Sequence, residues 1–137
     1  MNIVPYLWFD GTCAEAFRFY EKALGGKIVD MLPHGGTPMS GDVPADWQDK
    51  IMHAMMKIGD SVLMASDVPP AHYQPARGLS VSLHVATAEE AERAFAALAE
   101  GGTVTQPMEK TFWTERFGML VDRFGTPWMI NCDLAPA

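Results

Sequence analysis

The segment YEKALGGKIVD at residues 20–30 returns, in pattern, as FAALAEGGTVT at residues 95–105. Each is the end of an apolar periodic stretch, a glycine pair, and the start of a new apolar stretch. Gly25 and Gly101 stand 76 positions apart, and the same offset carries Leu7 to Leu83, Phe9 to Val85, Phe19 to Phe95, Ile28 to Val104 and Leu32 to Met108. One offset spanning a strand, a helix and a second strand marks an internal duplication, so the fold must be built from two similar halves.

Helix signals come twice. Thr12-Cys13-Ala14-Glu15 and Thr87-Ala88-Glu89-Glu90 fit the capping-box pattern, in which a Thr hydroxyl and a Glu carboxylate satisfy free amides at a helix start. Cys13, Ala16, Phe17, Tyr20 and Leu24 then recur at helical spacing, as do Ala91, Ala94, Phe95 and Leu98. Each helix is expected to stop at its glycine pair, where glycine takes the left-handed conformation. The capping threonines are one position out of step with the glycines, so the first helix should start a residue later relative to its end.

GDSVLMASD at 59–67 aligns without a gap to GTPWMINCD at 125–133, at an offset of 66. The fall from 76 to 66 places about ten extra residues of the first half in PHGGTPMSGDVPADWQDK, a Gly/Pro/Asp-rich loop or arm; EKTFWTE takes its place in the second half. Hairpins follow, 51–58 with 61–66 about Gly59-Asp60, and 117–122 with 127–132 about Phe124-Gly125. Each half therefore reads βαβββ, with module 1 about 1–68, a connection about 69–77, and module 2 about 78–134. The fold class is α+β, two βαβββ modules forming a curved eight-stranded mixed sheet with helices outside and a cleft inside, where a ligand is expected.

Strand alternation selects the lining. Val81, Leu83 and Val85 should pack on a helix, leaving Ser80, Ser82 and His84 on the other face. Leu7 and Phe9 likewise oppose Tyr6 and Trp8, and Trp128, Ile130 and Cys132 oppose Met129, Asn131 and Asp133. His53 is a candidate acid or base near neutral pH, or else a strand histidine bonded within the fold. His84 is expected at the rim, and His72 in the connection.

The charge balance narrows the partners. A net charge of −7 with ten scattered basic residues gives no support for nucleic-acid binding. No apolar run approaches the ~18 residues of a membrane span, and the first residues do not resemble a signal peptide, so a cytoplasmic location is expected. Cys13 and Cys132 have no metal or redox spacing and read as two unreacted, partly buried thiols. Ten methionines suit core filling or an adaptable apolar surface.

PYLWFDG leading to AFRFYEKALGGKI, IMHAMM before LMASD, and FW followed by RFGMLVDRFGTPWMIN resemble the PhnB-like branch of the vicinal oxygen chelate superfamily, which contains glyoxalase I, bleomycin-resistance proteins and extradiol dioxygenases. The resemblance implies a small-molecule ligand and a homodimer. It also implies that the stretch with Trp113 and Arg116 borders the cleft, where Trp113 would form an apolar wall and Arg116 would hold an acidic group, unless Arg116 only pairs with a nearby Glu such as Glu115. Trp47, in the arm, would cover the cleft or pack on a partner.

Metal-dependent relatives carry His, Glu or Gln on the first and fourth strands of each module. The equivalent positions here are Val4 (or Pro5), Leu63 or Met64, Ser80 and Met129, none a good ligand for a hard or borderline divalent cation. No cofactor is therefore expected, and a divalent metal would need a different site supplied by His53, His84 or His34. The expected function is a small-molecule-binding protein or cofactor-independent enzyme, with Tyr6, Trp8, His53, Ser80, Ser82, Trp113, Arg116, Met129 and Asn131 as candidate ligand contacts. The alternatives are a metal-dependent lyase, isomerase or dioxygenase, and a bleomycin-type drug-sequestering protein. Members of this branch often bear the name 3-demethylubiquinone-9 3-methyltransferase, but no glycine-rich strand-to-helix turn of the S-adenosylmethionine type is present.

Overall fold

The computed structural model of the chain describes residues 1–38 and 40–133. It divides into two compact units, Met1–Pro75 and the remainder from Ala76, each a βαβββ module with its own four-stranded mixed sheet. The boundary falls within the connection read at 69–77.

In the first unit the elements are β1 (Tyr6–Phe9), α1 (Cys13–Leu24), β2 (Lys27–Pro33), β3 (Ile51–Ile58) and β4 (Ser61–Asp67), and the sheet order is β1-β4-β3-β2. β1 and β4 run parallel and the other pairs antiparallel. Leu7, Phe9, Ala54, Met56, Leu63 and Ala65 alternate onto one face and are buried, as are Cys13, Ala16, Phe17 and Tyr20 on one stripe of α1. Phe17 and Tyr20 are wholly excluded from water, which stabilises the unit by roughly 2 kcal/mol for each ring.

The second unit repeats the plan with β5 (Val81–Val85), α2 (Ala88–Ala99), β6 (Thr103–Glu109), β7 (Thr114–Val121) and β8 (Pro127–Asp133), in the order β5-β8-β7-β6. Its core takes Ala91, Ala94 and Leu98 from α2 and Leu120, Trp128, Ile130 and Cys132 from the sheet.

The helix starts differ from the sequence expectation in one respect. Thr87 caps α2, its hydroxyl accepting from the Glu90 amide at 3.1 Å, but Thr12 makes no side-chain cap bond. The free amide of Cys13 donates instead to Asp67 Oδ1 at 2.9 Å, so the end of β4 supplies the cap. Replacing Thr87 with Ala should therefore cost about 1 kcal/mol, whereas Thr12→Ala should stay within about 0.5 kcal/mol of wild type. Urea denaturation of both variants checks this, and equal losses would refute the assignment. The helices are also equal, 12 residues each. The one-position mismatch is taken up after α2, where Glu100 stands between Ala99 and Gly101, and not at the start of α1.

The hairpins correct a second register. Pairing places Ala65 beside Leu7 and Ile130 beside Leu83, an offset of 65 between β4 and β8 where the ungapped alignment has 66. The turn after β7 is longer than the two residues after β3, and Asp122 organises it by accepting from the Phe124 and Thr126 amides and from Trp128 Nε1. Asp67 and Asp133 are thus not counterparts: the first is buried on the helix side and the second is exposed on the opposite face.

The arm at 34–50 closes on itself. The His34 amide donates to the Lys50 carbonyl at 2.8 Å, and Gln48 Nε2 donates to the Ser40 carbonyl at 2.8 Å. Trp47 is buried within this unit, its ring facing Gly11, so it is a core residue of its own module and does not project outward. Asp42, Asp46 and Asp49 are exposed.

Candidate functional site

Each sheet has one face covered by the helix of its unit and one turned away from it. In the first unit the uncovered face carries Tyr6 and Trp8 from β1, Met64 from β4, and His53 and Met55 from β3, because Tyr6 pairs with Met64 and Met64 with Met55. Tyr6 and His53 meet across the intervening strand. The phenol oxygen lies 3.1 Å from His53 Nδ1, and the rings stack with centroids 5.9 Å apart at 26°. Trp8 remains 58 % exposed one pleat along, and Tyr6 44 %. An aromatic and thioether floor thus holds a hydrogen-bonded polar pair.

The uncovered face of the second unit carries Ser82 and His84 from β5, Met129, Asn131 and Asp133 from β8, and Phe117 and Met119 from β7. Here the polar groups are linked. Ser82 Oγ is 2.9 Å from His84 Nε2, and Asn131 Nδ2 is 3.2 Å from His84 Nδ1 and 2.7 Å from Asp133 Oδ1. Strand reading placed His84 at the rim and missed this linkage, because the bonds depend on which β8 residue stands beside it.

The remaining candidates separate. Trp113 lies before β7, 51 % exposed, edge-on to Phe112 and to Phe117, whose partner across the strand pair is Asn131. Arg116 is on the other side of its sheet. Its Nε donates to Glu92 Oε1 of α2 at 3.0 Å and its Nη1 to the Glu115 carbonyl, and two residues along, the Cα of Gly118 faces Phe95 of α2. A register shift between Thr114 and Arg116 sets that phase. Of the two readings of Arg116, its geometry is that of an ion-paired strand residue, with Glu92 rather than Glu115 as the carboxylate. Ser80 is half-buried just before β5.

Both cysteines are buried, Cys13 on the buried stripe of α1 and Cys132 on the helix-facing side of β8. Burial, reinforced by the charge of Asp67, pushes the Cys13 thiol far above its ordinary value of 9.0, so it is a thiol and not a nucleophile near neutral pH.

The strand register decides between the two positions left open on β4: Met64, not Leu63, stands on the uncovered face and corresponds to Met129. With Val4 and Ser80 this donor set of thioethers, a hydroxyl and an alkyl group does not fit the divalent ions that metal-dependent relatives hold. Among the described residues no three His, Cys, Asp or Glu side chains converge. No helix among them is long and apolar enough to cross a membrane.

The family described as Glyoxalase/Bleomycin resistance protein/Dioxygenase superfamily matches residues 2–130. The protein YjdN of Escherichia coli (strain K12) is 34% identical over 139 residues, covering 96% of this chain and 95% of that one. Among solved structures, protein PA1353 from Pseudomonas aeruginosa is 53% identical with a TM-score of 0.89, covering 97% of this chain and 98% of that one. A PhnB protein from Bacillus cereus, which carries the name 3-demethylubiquinone-9 3-methyltransferase, has a TM-score of 0.79 at 22% identity, covering 96% and 99%. At that identity the likeness speaks to the fold alone.

Proposed function

Because the chain belongs to the Glyoxalase/Bleomycin resistance protein/Dioxygenase superfamily, we propose that it is a PhnB-like binder of a small organic molecule, acting without a metal at the family's positions. The observation that carries this reading is the Tyr6–His53 pair set in an aromatic and thioether face. Its ligand has a flat or apolar body, received by Trp8, Met55 and Met64, and one polar end, received by the pair. Because Nδ1 is engaged by Tyr6, the polar end meets His53 Nε2. If the phenol donates to Nδ1, Nε2 carries hydrogen and donates to a ligand oxygen; if Nδ1–H donates to the phenol, Nε2 accepts a proton. The same residues therefore serve binding alone or proton transfer to a bound substrate.

Methyl transfer is not part of this reading. The glycine pairs end helices and seat strands rather than forming a nucleotide loop, with Gly25 and Gly101 at φ values of 69° and 76°.

The test is a thermal-shift screen with phosphonates, thiol adducts of ketoaldehydes, and bleomycin, followed by titration of any hit. Tyr6→Phe should weaken a hit about fivefold, the worth of one hydrogen bond, and Trp8→Ala about tenfold or more, with the melting temperature of the free protein nearly unchanged. A hit whose affinity ignores both substitutions, or no hit from any of the three classes, would overturn the proposal.

A further inference from the structure

The linked groups on the second unit have a chemistry that small-molecule binding does not use. Asn131 Nδ2 sits between two acceptors, the Asp133 carboxylate at 2.7 Å and His84 Nδ1 at 3.2 Å. The opposite amide orientation would set two oxygens 2.7 Å apart, so the nitrogen faces the carboxylate and His84 Nδ1 carries a lone pair. His84 then bears its hydrogen on Nε2 and donates it to Ser82 Oγ at 2.9 Å. A metal-ligating histidine commonly has this arrangement, one ring nitrogen held by a hydrogen bond and the other presented as a lone pair.

A carboxylate oxygen of Asp133 lies 3.9 Å from that nitrogen, and both side chains are open to solvent, at 58 % for His84 and 73 % for Asp133. Asn131 is different. It is buried, and its Oδ1 has no hydrogen-bond partner. Turning the amide over exchanges one unpartnered end for the other, so the buried cost is similar, and it brings Oδ1 to the place between His84 Nδ1 and Asp133 Oδ1.

We propose that His84 Nδ1, Asp133 Oδ1 and Asn131 Oδ1 form a binding site for a borderline divalent cation such as Zn²⁺ or Ni²⁺. One imidazole nitrogen and two oxygens suit that class, whose bonds of about 2.0–2.2 Å are spanned once the exposed Asp133 swings slightly inward. Ser82 is a positioning residue that fixes the tautomer. The site is separate from the residues at the family's metal positions, because Ser80 and Met129 contribute nothing to it. It does not depend on the Tyr6–His53 reading.

Calorimetric titration of the full chain with ZnCl₂, repeated with NiCl₂, tests the proposal. One equivalent should bind, and His84→Ala and Asp133→Asn should each weaken it by more than about tenfold, the scale that supporting residues alone can reach. Ser82→Ala should weaken it about tenfold with little change in the melting temperature of the metal-free protein, while Met129→Leu and His53→Ala should leave it unchanged. No binding at millimolar metal, binding that survives both His84→Ala and Asp133→Asn, or loss in His53→Ala instead would each overturn it.

Discussion

Asp67→Ala is expected to cost about 3 kcal/mol or more, because it strands two buried amides at once. The Asp67 side chain is 3 % exposed; its Oδ1 accepts from the Cys13 amide at 2.9 Å and its Oδ2 from the Ile51 amide at 2.8 Å. One carboxylate thus ties the end of β4 to the start of α1 and the start of β3. At a site this closed both donors would lose their partners. Asp67→Asn should retain part of this, since an amide keeps one acceptor but turns an N–H toward the other donor. Equal stability of Asp67→Ala and wild type in urea would refute the role.

The ionised form is not cheap. Burial raises the Asp67 carboxyl above its ordinary value of 3.8, against the lowering effect of the Ile51 and Cys13 amides and of Lys50. The folded state therefore binds a proton at higher pH than the unfolded chain does, and stability from this group increases as pH falls through the folded value, levelling below 3.8. Asp67→Asn has no such titrating group. The stability gap between wild type and Asp67→Asn should thus widen on acidification from pH 7 toward pH 4, with the other carboxylates cancelling between the two proteins.

Much of this architecture could be read in advance because its signals are local. Period-two alternation separated Tyr6 and Trp8 from Leu7 and Phe9, and helical spacing gave the buried stripe of α1 down to Tyr20. What could not be read depended on distant register. Asp67 looked like the counterpart of Asp133 because GDSVLMASD and GTPWMINCD match without a gap; only the longer turn folded around Asp122 moves them to opposite faces. Arg116 was ambiguous because the irregularity after Thr114 resets the phase of β7. The linkage of Ser82 through His84 to Asn131 arises from the pairing of β5 with β8, and no spacing within either strand records it.

The glycine pairs lead to the second large effect. Read locally, both glycines of each pair end a helix, but the structure gives them different tasks. Gly25 and Gly101 take positive φ, the conformation a side chain resists. Gly102 instead lies against the neighbouring strand. A Cβ there would meet the Val121 carbonyl oxygen and the Cα of Asp122 at 2.9 Å, backbone atoms of the last residue of β7 and of the one that follows it. Neither can swing away, so Gly102→Ala must separate Thr103 from Val121, its register partner. A loss of about 3 kcal/mol is expected, the upper end of ordinary overpacking. Gly26→Ala faces mainly movable atoms, Met56 Sδ at 2.8 Å and Ile58 Cγ1 at 2.9 Å, with the Lys57 carbonyl farther off at 3.1 Å. It should cost about 1 kcal/mol. Urea midpoints of the two variants decide the matter: if Gly26→Ala proves the more damaging, the duplicated glycine is not held in the second unit by backbone contact, and its presence there needs another cause.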